Sequence, residues 1–529
     1  MRLNKIAVDS LTLPDYLEAL SPLSQGFLSQ MVNSKEEFLD ITNDQEYIVD
    51  EINILKVAKF LLECQQNNKK IIICGDYDCD GIISTTLMVR LAQKLNLEAG
   101  YYIPNRLTEG YGTKPETIQR AYEKGYSVCI MVDNGVMSQE ALTKCQELGM
   151  KSLVIDHHVL QDEVHCDVLY HPSDSSLEYQ TVCSSGQVLA LSELMNLSDV
   201  YMEVLGGIAT IGDMMDLHGY NRFVVKRAIR HLNSYTFEPI TKLLKSKVDL
   251  WDESVIAYQI VPVFNAIGRL SDKGNVNQVV RYLLSSDSSS INHFSNQLLE
   301  INQMRKNMTS NQTLQAIAQL NDDFFHIIVN DNFHEGIVGI VAGQLVSKTN
   351  KPVMILTSKN DILKGSVRSN GMDVFTFLKQ FEEDYFISFG GHAQACALSL
   401  LKADFQHFYE NVQKKMQLID FSEPVKDVLV FESDAYTIVN YDELIMFQPF
   451  GQGFKLPEVY IESVIIAVSP LGQSGYKLTI LSVGEIKEVL YFKKDVIFDN
   501  TTLKCGFVGS LSKNYRNELQ LIASTIVIL

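Results

Sequence analysis

Residues 74–81, CGDYDCDG, place Asp76, Asp78 and Asp80 directly after the apolar run Ile71–Cys74. Two more apolar runs end in the same way. CIMV (129–132) leads into Asp133-Asn134-Gly135, and LVI (153–155) leads into Asp156-His157-His158. Asp213, in GIATIGDMMDLHGYNR (207–222), is a fourth candidate. A lone DxD reads as a turn or helix cap, and a lone DNG as a tight turn. Three such groups, each at the mouth of an apolar strand, are not explained as turns. Carboxylates gathered at one place raise one another's pKa unless a cation neutralises them. Oxygen ligands joined by imidazole suit Mn²⁺ or Mg²⁺, and carboxylates able to bridge suit a pair of ions.

These groups need elements that bring them together. From about 51 to 215 the strand-like runs KKIIIC, EAGYYI, YSVCIMV and KSLVI alternate with helical stretches such as TKPETIQRAYEKG and SQEALTKCQELG. Strands alternating with helices predict a doubly wound parallel sheet, whose ligands bind at the carboxyl ends of the strands. The acidic groups sit at those ends. Residues 1–50 read as a helical lead-in, with a capping-type start at NSKEEFLD. The expected division is a catalytic domain over 51–235, a helical connector over 236–322, a smaller α/β lobe over 323–415 and a β-rich domain over 416–529. The polar-faced segment beginning SINHFSNQLLE suits either a bridge between two lobes or an ordinary surface helix. The short strands of the last domain, among them PEVYIESVIIAVSP and ELQLIASTIVIL, suit a small barrel such as an OB-fold.

In the second lobe, KGSVRSN (364–370) and FGGH (389–392) set Gly beside Arg, Ser and His. Alone these read as Gly-rich turns with incidental polar residues; beside the first lobe, the composition lets backbone N–H groups and a guanidinium approach a phosphate. Composition bounds the rest. With 529 residues, 46% hydrophobic, the chain can bury several cores. The nine cysteines form no CxxC pair and read as reduced, buried thiols. A net charge of -19 argues against wrapping a long duplex. No stretch reaches the apolar length of a membrane span, and Asp9 and Asp15 interrupt any signal-peptide core, so a cytoplasmic protein is expected. The sequence stops close to the expected barrel, with no further domain expected.

GDYDCDG, DNG, DHH and IGDMMDLHGYNR resemble, in order, the motifs of the DHH phosphoesterase superfamily. IPNRLTEGYG (103–112), VPVFNAIGRLSD (261–272), HEGIVGIVAGQL, KGSVRSN, FGGHAQACALSL and QPFGQGFKLPEV extend the resemblance to RecJ-type single-strand-specific exonucleases. The resemblance implies a hydrolase that cleaves phosphodiester bonds of single-stranded DNA 5′ to 3′ with two divalent ions, Mn²⁺ or Mg²⁺, in DNA repair and recombination. It implies Asp78, Asp80, Asp133, His157 and Asp213 as metal ligands, with Asp133 bridging. Asp133 and His158 are the implied catalytic residues, His158 at the scissile phosphate. Asp76 and Asp156 are expected behind the ligands, orienting them by hydrogen bonds. Arg106, Asn265, Arg269, Ser366, Arg368, Ser369 and His392 match positions that contact substrate phosphates. Cys74 departs from the pattern, standing where many relatives have a ligating His; thiolate suits Mn²⁺ or Mg²⁺ less well, which leaves packing or ligation open. The expected partners are single-stranded DNA and a helicase or single-strand-binding protein, with no membrane, and the chain is expected to be a monomer. The rival readings are a DHH phosphoesterase acting on short oligonucleotides or cyclic dinucleotides, and an inactive replication scaffold.

Overall fold

The computed structural model describes residues 2–42, 47, 52–160, 162–176, 179–419, 425–472, 475–493, 498 and 503–529. The chain forms two compact units, one of residues 49–213 with 227–422, the other of residues 1–48, 214–226 and 423–529. The chain opens with a strand, β1 (Arg2–Ala7), where a helical lead-in was expected; short helices follow at Pro22–Leu28 and Lys35–Thr42.

The larger unit begins with a sheet of β2 (Ile71–Cys74), β3 (Ala99–Tyr102), β4 (Val128–Val132), β5 (Lys151–Ile155) and β6 (Val168–Tyr170). All neighbours are parallel, in the order β3-β2-β4-β5-β6. Every residue of β2 and β4 is buried, as continuous apolar runs require in a sheet covered on both faces. The chain leaves β2 for β3 on one side and returns to β4 on the other. That reversal opens a crevice between the ends of β2 and β4, the usual ligand position in such sheets.

The same unit contains a second, mixed sheet of β7 (His326–Val329), β8 (Val353–Lys359), β9 (Ile362–Arg368), β10 (Phe386–His392) and β11 (Ala395–Leu401), in the order β10-β11-β9-β8-β7. Phe325, Met354, Leu356, Val367, Phe377 and Phe408 build the core on one face. The helix Val338–Thr349 covers the other through Val341 and Leu345. The helix Ser288–Ile317 packs against both Val261–Arg269 and Val338–Thr349, so the polar-faced segment is a bridge between the lobes.

In the other unit, β12 (Val425–Val430) precedes β13 (Val459–Leu471), β14 (Gly475–Val483), β15 (Ile486–Tyr491), β16 (Leu503–Lys513) and β17 (Leu519–Ile528). The last five close on themselves in the order β13-β14-β15-β17-β16, with β16 returning to β13. Only β15 and β17 run parallel among them, the OB-fold arrangement. β12 adds to β13 in parallel, and β1 adds to β12 over Arg2↔Val425 to Ala7↔Val430. Arg222 is buried in this unit, donating to the carbonyls of Phe447 and Pro449 with its guanidinium 4.6 Å from the Phe454 ring.

Candidate active site

The turn after β2 is shaped by glycine. A Cβ on Gly81 would lie 2.4 Å from the Asp76 carbonyl oxygen, and one on Gly75 would lie 1.8 Å from Thr85 Oγ1. With those side chains absent, the helix Cys79–Lys94 starts directly over the end of β2. Asp78 caps it, accepting from Gly81 N at 3.0 Å. Asp80, in the first turn, is buried and accepts from the backbone N–H groups of Ser184 and Ser185, both at 2.9 Å, at the start of the helix Ser184–Leu194. A carboxylate has about four lone-pair sites, so both oxygens keep capacity for a cation.

Asp133 follows β4 with φ 58°, a left-handed conformation that Asp tolerates better than most side chains. It lies at the centre of the cluster. Its Oδ1 is 3.2 Å from His157 Nε2, and Asp213 Oδ2 is 3.3 Å from the same nitrogen. Three groups have ligand atoms all within 4.8 Å of one another: Asp133, His157 and His158; Asp80, His157 and Asp213; Asp76, Asp78 and Asp133. Asp133 and His157 each belong to two of them. The helix Val200–Gly212 delivers Asp213 at its carboxyl end.

Burial, and then the neighbouring carboxylates, push Asp76, Asp133 and Asp213 well above the ordinary carboxylate range. Burial lowers His157 and so favours its neutral form, the form that can donate a lone pair to a metal. Asp76 Oδ1 and Asp213 Oδ2 are buried without a hydrogen bond. Crowded carboxylates, two orphaned oxygens and a neutral imidazole fit hard divalent cations. Asp76 makes no hydrogen bond through Oδ1 and stands within one of the ligand groups.

Asp156 bonds to both histidines that follow it. Its Oδ1 accepts from the N–H groups of His157 and His158 at 2.8 and 3.2 Å and lies 2.8 Å from His158 Nδ1. Its Oδ2 accepts from Val136 N at 3.0 Å. Burial opposes charge on His158, but the bond to Asp156 and the surrounding carboxylates outweigh it, and the imidazole is pushed up to about 9. Cys74 points elsewhere. It is buried in an apolar cluster with Ile72, Cys129, Met131 and Cys145, and it joins no metal-competent group among the described residues.

Three arginines from separate segments gather beside the acidic turn. Arg106 stacks 5.0 Å from the Tyr77 ring. Burial and then the charges of Arg106, Arg368 and Arg305 bring Arg269 down to about 10, and burial lowers Arg368 as well. The loop carrying Arg106 is fixed by paired bonds between Asn105 and Ser271, at 2.9 and 3.0 Å, and between Asn277 and the Ile103 backbone, both at 2.8 Å. A Cβ on Gly339 would lie 3.0 Å from Arg368 Nη2 and 3.3 Å from Ser366 Oγ, so Gly339 leaves these two side chains room against the start of Val338–Thr349.

Three other residues expected at a phosphate have these surroundings. Asn265 Oδ1 accepts from Cys79 N at 2.9 Å, so its carbonyl pins the acidic turn. The Ser369 hydroxyl donates to the Met372 carbonyl of its own turn, at 2.5 Å. His392 is exposed on the β10–β11 hairpin, and no hydrogen bond ties it to the arginines among the described residues. Sequence reasoning missed Tyr111, whose hydroxyl donates to the Asp133 carbonyl and lies 3.3 Å from His158 Nδ1. Its signal was its place in IPNRLTEGYG, five residues after Arg106.

A parallel sheet with this cluster at its switch point, followed by a mixed-sheet lobe, defines the class. Residues 70–210 match the DHH family, N-terminal domain, and residues 321–418 match the DHHA1 domain. The chain thus carries the two domains of DHH proteins and is similar to relatives of the RecJ type. It is 28% identical over 488 residues to the single-stranded-DNA-specific exonuclease RecJ of Bacillus subtilis, covering 88% of this chain and 61% of that relative. It is 26% identical over 470 residues to the RecJ of Haemophilus influenzae, covering 81% of each. In fold it matches the crystal structure of RecJ in complex with Mn²⁺ from Thermus thermophilus, with a TM-score of 0.84 and 21% identity over 99% of this chain and 80% of that one.

Proposed function

We propose that this chain is a single-strand-specific 5′-to-3′ exodeoxyribonuclease that hydrolyses phosphodiester bonds with two divalent ions, Mn²⁺ or Mg²⁺. The observation that carries the reading is one crevice holding metal-competent Asp and His groups beside three convergent arginines. The named activity of the RecJ relatives supports it. Asp78, Asp80, Asp133, His157 and Asp213 would hold the ions, with Asp133 shared and Asp76 as a further ligand. Bound there, the ions supply an acidified water and charge stabilisation at the phosphoryl oxygens.

The chain's own groups do the rest. Asp156 holds His158 by Nδ1 and leaves Nε2 as the proton-bearing edge for a phosphate oxygen. Arg106, Arg269 and Arg368 orient the strand and offset charge developing on the phosphate, with Ser366 beside Arg368. The barrel would also bind single strand. Tyr515, 87% exposed in the β16–β17 turn with Arg516 5.2 Å from its ring, offers a surface on which a base could stack. A helicase or single-strand-binding protein that presents free ends is the partner class this reading implies, and the cytoplasm the compartment. No described helix is long and apolar enough to cross a membrane.

The deciding experiment is hydrolysis of 5′- and 3′-labelled single strands and of the matching duplex, with Mn²⁺, Mg²⁺ or EDTA. The reading expects metal-dependent shortening from the 5′ end of single strands. Hydrolysis of dinucleotides alone would replace it with the small-substrate phosphoesterase.

A further inference from the structure

Where the helices Ser288–Ile317 and Val338–Thr349 pack together, a cleft of about 250 Å³ lies outside the site described above. Arg305, Thr309 and Thr313 line it at helical spacing from one side, and Gln344 and Lys348 from the other. Lys306 completes a set of three cations, and no carboxylate is among the residues that line it. None of the three is ion-paired among the described residues, in a chain whose net charge is -19. Lys306 is crowded further: burial, and then the charges of Lys245 and Arg305, lower its pKa. Lys348 lies in the last turn of its helix, where a cation is favoured in any case, but that explanation does not reach Arg305 or Lys306.

A second observation points to a ligand. Thr309 is 2% exposed, and its Oγ1 has no hydrogen-bond partner. Thr313, one turn on, bonds across the helix pair to Gln344 Oε1 at 2.7 Å. Thr309 therefore offers a buried hydroxyl to a cleft edged with uncompensated cations. No aromatic residue lines the space, which suits a sugar-phosphate backbone better than a stacked base.

We propose that the cleft is a second phosphate subsite, binding a backbone phosphate of the single strand away from the scissile bond through Arg305, Lys306, Lys348 and Thr309 Oγ1. The proposal rests on the single-strand exonuclease reading. Its test is steady-state hydrolysis by the full chain with Mn²⁺, comparing a long oligothymidylate with the shortest strand that is hydrolysed. For K306Q/K348Q, and separately for T309V, the ratio of KM for the long strand to KM for the short one should rise, by about tenfold for the double variant, with kcat on the long strand within about twofold of the parent. The slope of log KM against log salt on the long strand should flatten by about 0.7 for each phosphate that is no longer neutralised. An unchanged ratio and slope in both variants would overturn the subsite, as would an equal rise in KM on both substrates, which marks a distorted active site. A parent protein that hydrolyses no single strand would overturn the functional reading first, and the subsite with it.

Discussion

At the residue scale, Asp133 carries two burdens: a left-handed backbone and a carboxylate surrounded by others. Asparagine accepts that backbone and removes the charge. D133N is therefore expected to lose at least about a thousandfold in nuclease rate, while its metal-free form melts at or above the parent temperature because repulsion has been relieved. A thermal melt in EDTA beside a Mn²⁺ nuclease assay checks both halves. D156N keeps the size of the side chain but weakens its hold on His158; a loss of about 10²-fold in kcat with KM nearly unchanged is expected from steady-state kinetics. That the carboxylates and histidines at the strand ends would gather was legible in the sequence, because each group follows an apolar strand of one sheet. Tyr111 and the Ser184 and Ser185 N–H groups were not, since their part depends on where the backbone carries them. The backbone bonds of Asn265 and Ser369 were not legible either, for the same reason.

At the element scale, the helix Val200–Gly212 holds Asp213 at one end and is anchored by Asp199 at the other. Asp199 accepts from Tyr201 N and Met202 N and pairs with Arg90 and Lys94, both at 2.8 Å. Burial alone would raise its pKa, but these partners bring it down to about 2 from 3.8. The folded form thus binds this proton less readily than the unfolded form. The resulting stabilisation is fully present above about pH 4 and fades as pH falls through about 2. With solvent screening of a side chain that is 31% exposed, it is worth about 1–2 kcal/mol. D199N should be less stable than the parent by that amount at neutral pH, with the gap closing in urea unfolding curves at about pH 2. The strands of the first sheet were legible because burial on both faces makes them plain apolar runs. β1 was not: its exposed and half-buried residues become a strand only by pairing with β12, which no local pattern reveals.

At the scale of the whole molecule, the two units should unfold as separate transitions. Among the described residues, only the unit of residues 49–213 and 227–422 contains the metal-competent groups. Mn²⁺ at about a hundred times its dissociation constant should stabilise that transition by about 2.7 kcal/mol and leave the other in place, as scanning calorimetry would show. Sheet orders, more than elements, escaped the sequence. Closure of the barrel through β13 and β16, and the parallel β15–β17 pair, are long-range choices made by packing.

The pairing of β1 with β12 also bears on how the molecule is made. Asn4 and Asp427, bonded across that pair, are separated by 423 residues. At ribosomal speeds the leading strand waits on the order of half a minute before its partner is synthesised. During that interval Leu3 and Ile6 have no sheet to join, so these apolar side chains stay uncovered until β12 is made. Deleting Arg2–Ala7 would shift the hazard to the finished protein, leaving β12 as a bare edge open to other chains.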